Sequence, residues 1–138
     1  MGRILAIDYG KRRTGLAVTD ALRITANPLL TIDTPQLLAW LEDYTRREQV
    51  DTIVIGYPRQ MNGQDSETVP LIRACEQQIR KRLPHIPVVE YDERFTSVLA
   101  HQAMIAGGMK KKQRQDKTVV DKLAACIILE GYLEGGRG

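Results

Sequence analysis

Arg3-Ile4-Leu5-Ala6-Ile7-Asp8-Tyr9-Gly10 is an unbroken apolar run that ends in a carboxylate, with a glycine two residues later. Lacking any polar alternation, the run reads as a strand buried on both faces, as in the interior of an α/β sheet. A charged Asp at the end of such a strand is costly unless a cation, a hydrogen-bond donor or a helix N-terminus compensates it. The simpler alternative is that Asp8 caps a turn, because Asp and Gly both suit turns. The residues that follow decide between the two.

Thr14-Gly15-Leu16-Ala17-Val18-Thr19 alternates as a second strand. The short Lys11-Arg12-Arg13 link fits a hairpin, so this strand runs antiparallel to the first. A third strand is expected over about residues 24–31, with Pro28 tolerated only at an edge or irregular position. Thr34-Pro35 places a hydroxyl at an N-cap and proline at the first helical position, predicting a helix to about residue 48. A buried strand follows over 52–57, then a helix over about 66–83, and Val88–Asp92 is the last strand. Two further helices are expected over about 96–106 and 118–133, separated by Gly107-Gly108 and a basic loop. Crossover rules make the fourth and fifth strands parallel to the first. The carboxyl ends of those three strands then share one edge of the sheet, where open α/β sheets bind their ligands.

The chain's 138 residues suffice for one domain with a real core, and 43% apolar and 27% charged residues are ordinary for a globular protein. Cys75 and Cys126 lie far apart with no zinc-like spacing, which argues against a metal–thiolate site or a disulfide framework and suits a reducing compartment. There is no room before the first strand for a signal peptide, and no apolar run nears the ~18 residues of a membrane span. A cytoplasmic protein is expected. The net charge is +3, yet residues 107–117 alone carry Lys110, Lys111, Lys112, Arg114 and Lys117 against Asp116. A second basic knot, Lys11-Arg12-Arg13, follows Asp8 directly. Solvated surface is the ordinary role of such loops, but two that converge on an acidic site suit a nucleic-acid backbone.

Acidic residues from three segments come together in this topology. Asp8 ends the first strand, Asp92 and Glu93 end the fifth, and Asp121 lies one turn inside the last helix among Ala124, Ala125 and Ile128. Alone, Asp121 is a favourable acid near a helix N-terminus. Together, carboxylates from three distant segments repel unless cations sit among them. Oxygen ligands without His or Cys imply Mg²⁺ or Mn²⁺ rather than zinc. Two such ions, about 4 Å apart, clamp the attacking and leaving oxygens of a phosphodiester. The basic loops would hold the flanking phosphates. Strand alternation alone leaves Asp92 and Glu93 as alternatives.

The motifs Ala6-Ile7-Asp8-Tyr9-Gly10, Thr14-Gly15-Leu16-Ala17-Val18, Ile55-Gly56-Tyr57-Pro58, Met61-Asn62-Gly63, Asp92-Glu93-Arg94-Phe95-Thr96-Ser97 and Val120-Asp121-Lys122-Leu123-Ala124-Ala125 occur in this order over nearly the whole chain. In this the sequence closely resembles the YqgF/RuvX family, described both as Holliday-junction resolvases and as nucleases of the 5′ end of pre-16S ribosomal RNA. The resemblance implies a ribonuclease H-like fold with sheet order 3-2-1-4-5. It also implies an acidic triad of Asp8, Glu93 and Asp121, thereby favouring Glu93 over Asp92. Departures are small: Tyr57 and Phe95 where the family often has Leu, and Lys122 where a small residue is common. On a helix Lys122 points about 100° away from its neighbour and leaves the triad intact.

Arg94 is a candidate phosphate contact, with a surface ion pair as its alternative. Tyr9 and Tyr57 flank the expected active edge and either stack a base or pack the core. Trp40 falls on the apolar stripe of its helix and is expected in the core. The leading reading is a Mg²⁺-dependent endonuclease acting on precursor rRNA or branched DNA, monomeric or homodimeric, with the ribosome as a further partner. A non-catalytic ribosome-assembly module and an actin/Hsp70-type ATPase are the competing classes. The ATPase architecture needs two such domains, and this chain supplies one.

Overall fold

The computed structural model describes residues 2–20, 22, 25–57, 69–92 and 117–135; the side chains at 92, 117–121, 134 and 135 fall outside that description. The chain forms β1 (Arg3–Asp8), β2 (Arg13–Thr19), β3 (Ala26–Asp33), a 3₁₀ turn (Thr34–Gln36), α1 (Leu37–Arg47), β4 (Val50–Tyr57), α2 (Val69–Arg82), β5 (Val88–Asp92) and α3 (Lys117–Gly135). The sheet order is β3-β2-β1-β4-β5. β1 pairs antiparallel with β2 and parallel with β4, and β4 pairs parallel with β5. The expected topology therefore holds, and β1 is the central strand.

Burial explains why β1 has no polar alternation. Leu5 and Ile7 face a core layer with Leu16, Ile53 and Ile55, closed by Leu37 and Leu41 of α1 and Ile72 and Ile79 of α2. Ile4 and Ala6 face the opposite layer with Ala17 and Val54, closed by Ala125, Cys126, Ile128 and Leu129 of α3. Ala6 and Ala17 sit directly opposite each other across β1 and β2. Small side chains on both the sheet and α3 let the helix approach closely.

Two boundaries differ from the sequence expectation for identifiable reasons. β3 begins at Ala26 and runs to Asp33, and its pairing with β2 slips between Leu16 and Ala17, where Leu30 and Pro28 are successive partners. Pro28 has no N–H to give, so an edge strand with a bulge is where it fits. Thr34 does not cap the helix. A 3₁₀ turn with Asp33 at its N-cap precedes α1, and no side chain caps either element. The Thr34 hydroxyl is committed elsewhere, to the carbonyl of Gly10 at 2.6 Å. Trp40 is half-buried rather than central, stacked on Tyr44 with ring centroids 4.8 Å apart. The stretch before α2, including Asn62, Gly63 and the start of the helix expected from about residue 66, and the helix expected over 96–106 lie outside the described residues. Among the described residues no helix is long and apolar enough to cross a membrane.

One acid is buried away from the sheet edge. Glu76 of α2 is 2% exposed and pairs one carboxylate oxygen with Arg80 at 3.3 Å. Burial, reinforced by nearby Glu90, holds its carboxyl above the usual range. The folded protein therefore keeps a proton that the unfolded chain releases, and stability falls as pH rises from the ordinary carboxylate value through the raised one. Glu76→Gln removes the titration. Urea unfolding between pH 4 and 8 should show wild type losing stability relative to this variant as pH rises, and parallel curves would refute that.

Candidate active site

Asp8 is the last residue of β1 and the one carboxylate on that strand. Its even parity sets it on the face of Ile4 and Ala6, which α3 covers, and it is half-buried. Its cross-strand partner on β2 is Gly15. On β4, Ile55 pairs with Ile7, so Gly56 is in step with Asp8. Neither flanking position carries a side chain. Periodicity alone did not single out these glycines as neighbours of Asp8; the strand register does.

The register also sets the face of the acid that ends β5. Position 92 pairs with Tyr57, whose ring belongs to the layer under α1 and α2, on the face away from Asp8. Tyr57 is thus a core residue. Its ring lies 5.8 Å from the Arg73 guanidinium carbon, and burial pushes its phenol up to about 12. Tyr9 packs partly buried against the same layer.

Beyond Asp8 the chain turns through Gly10 into the basic loop. Lys11 and Arg12 are exposed and Arg13, the first residue of β2, is half-buried. A methyl group at Gly10 would collide with the carbonyl oxygen of Arg13, so the tightness of this turn requires glycine. Gly10→Ala is expected to cost about 1–2 kcal/mol, the overpacking penalty of a rigid site. Urea unfolding checks this, and an unchanged midpoint would show that the turn relaxes freely.

Of the other predicted site residues, Glu93, Arg94, Lys110, Lys111, Lys112 and Arg114 lie outside the described residues. Asp121 and Lys117 are in the first turns of α3, with their side chains outside the description. Position 121 is one helical turn before Ala125 and two before Ile128, both on the stripe that packs against β1 and β2. Among the described residues no group of three or more His, Cys, Asp or Glu is placed to hold a metal ion.

Cys126 is buried against β3, its thiol 3.5 Å from the Ala26 carbonyl oxygen, and burial raises its pKa to about 11. Burial raises Cys75 to about 11 as well. Neither is a thiolate at neutral pH. His85 lies in the turn before β5, at the amino end of that strand and away from Asp8. Asp8 offers hard oxygen, which fits Mg²⁺ or Mn²⁺ and not a thiophilic metal.

Residues 2–135 match the family model RuvX, described as Holliday junction resolvase. The chain belongs to the RuvX family. Among its relatives, a protein of Phocaeicola vulgatus named "Putative pre-16S rRNA nuclease" is 58% identical over 134 residues, covering 97% of this chain and 96% of the relative. A protein of the same name from Parabacteroides distasonis is 52% identical over 134 residues, with the same coverage of both chains. Thermus thermophilus RuvC, solved in complex with a Holliday junction substrate, superposes with a TM-score of 0.59 at 16% identity. That match covers 99% of this chain and 97% of the RuvC chain. The RuvX chain therefore has the ribonuclease H-like fold of that neighbour, with Asp8 at the end of its central strand.

Proposed function

We propose that the protein is a metal-dependent endonuclease that hydrolyses phosphodiester bonds in structured nucleic acid, with the 5′ end of pre-16S rRNA as its foremost substrate. The observation that carries this reading is the position of Asp8: a half-buried carboxylate between two glycine neighbours, at the carboxyl end of the central strand. The names of the relatives support an rRNA substrate.

Asp8, Glu93 and Asp121 are the residues assigned to hold Mg²⁺ or Mn²⁺, as two ions. When bound, the metal supplies Lewis-acid stabilisation of a phosphoryl oxygen and lowers the pKa of water. Asp8 would contribute a carboxylate oxygen on the sheet face that α3 covers, between Gly15 and Gly56. The parity of β5 supports Glu93 over Asp92, because position 92 has the register of the opposite face. Position 121 follows the stripe by which α3 lies on β1 and β2, which supports its assignment to the same face. Lys11, Arg12 and Arg13 would take phosphates within three residues of Gly10, and Arg94, Lys110, Lys111, Lys112, Arg114 and Lys117 would extend that track. Affinity should then fall steeply with salt as condensed counterions are released.

A second reading, resolution of four-way DNA, is favoured by the family description and by the substrate of the RuvC neighbour. Paired cuts across a junction would call for a homodimer, whereas trimming RNA needs one copy. The deciding experiment incubates the protein with a labelled pre-16S leader RNA and a four-way DNA junction, in Mg²⁺, Mn²⁺ or EDTA. Metal-dependent cleavage is expected, with the faster substrate identifying the role. Salt-sensitive binding with no cleavage of either would replace the enzyme by an assembly factor.

A further inference from the structure

The hydroxyl that the sequence assigns to a helix cap is used to hold the basic loop. Thr34 Oγ1 donates to the Gly10 carbonyl at 2.6 Å, and the Thr34 amide donates to the Arg12 carbonyl at 2.9 Å. Thr14 Oγ1 lies 2.9 Å from Thr34 Oγ1. The single Thr34 proton is already given to Gly10, so Thr14 is the donor in that pair. Thr14 is fully buried, so this bond also satisfies a hydroxyl that has no water. One residue, the first after β3, thus bonds to both sides of the turn that presents Lys11 and Arg12, and to the strand that leaves it.

We propose that Thr34 is a positioning residue for nucleic-acid binding, holding the Lys11–Arg12 loop in the conformation that meets phosphate. This rests on the nuclease reading above and specifies how one part of the site is kept in shape. Adjacent Lys and Arg side chains repel, and an unrestrained loop would lose conformational entropy each time it docked on a backbone. Fixing its main chain in advance removes that cost from binding. The absence of any side-chain cap on the 3₁₀ turn or on α1 shows that the Thr34 hydroxyl does not serve the helix.

The test is a double-mutant cycle read by fluorescence anisotropy, using labelled pre-16S leader RNA and a labelled four-way DNA junction in EDTA at fixed salt. Thr34→Val should weaken binding on the order of tenfold, and Thr34→Ser, which keeps the hydroxyl, should restore it. In a Lys11→Ala/Arg12→Ala background Thr34→Val should cost nothing more, because the clamp acts only through those cations. An equal loss in both backgrounds would mark a general structural effect and overturn the proposal. So would full-strength binding by Thr34→Val when Lys11→Ala/Arg12→Ala is weakened, and in that case the nuclease reading survives. If the double variant binds like wild type, the loop does not meet phosphate, and the clamp falls with that part of the site. Wild type that binds neither probe overturns the nuclease reading itself and this proposal with it. Should Thr34→Val fail to fold, Thr14→Val removes the outer bond of the relay and carries the same comparison.

Discussion

Asp8→Asn should lower metal-dependent cleavage on the order of a thousandfold, equivalent to about 4 kcal/mol of barrier, while leaving the protein folded. Asn keeps the shape of the side chain and one carbonyl oxygen, so strand pairing with Gly15 is undisturbed. What it loses is the charge that, in the proposed site, would draw a hard cation to the end of β1. A half-buried carboxylate also carries a desolvation cost, so the neutral variant should unfold at the same or a slightly higher urea concentration. Single-turnover cleavage in Mg²⁺ and urea unfolding of both proteins check the two halves together. Retained cleavage would remove Asp8 from the reaction. Lost cleavage with lost stability would make it a structural residue instead.

The second large effect comes from the layer of small residues under α3. Ala6 and Ala17 face each other across β1 and β2, and both are fully buried with Ala125. Ala17→Leu would force three extra carbons into a layer with no space and should cost about 3 kcal/mol. The helix can relieve the strain only by moving off the sheet, and it carries position 121. If that position belongs to the site, a shift of about 1 Å lowers the rate roughly a hundredfold beyond what unfolding explains. Cleavage per folded molecule, measured well below the unfolding midpoint, is the discriminating quantity. An unchanged value would detach α3 from the chemistry.

Much of this architecture was legible in the sequence because burial leaves a strong trace. The apolar run at the start of β1 could only suit a strand covered on both sides, and Ile4 through Ile7 are indeed nearly inaccessible. The short basic link required a hairpin, and the crossover rules then set β4 and β5 parallel to β1. Side-chain hydrogen bonding left no comparable trace. Thr34 before Pro35 satisfied every local rule for a cap, and only the folded chain brings the Gly10 carbonyl to its hydroxyl across a separation of 24 residues. The sheet face of position 92 likewise follows from register with β4, a long-range property. Trp40 followed the apolar stripe of α1 but lies at the rim of the core, where it stacks on Tyr44.

The slip between β2 and β3 bears on how the protein behaves when crowded. β3 borders the sheet, and an outer strand with a free row of amides and carbonyls invites a neighbouring molecule to zip onto it. Pro28 interrupts that row with a residue that has no amide hydrogen, and the bulge beside it breaks the even spacing that a zipper needs. Fibre-like growth is therefore discouraged along this border of the sheet.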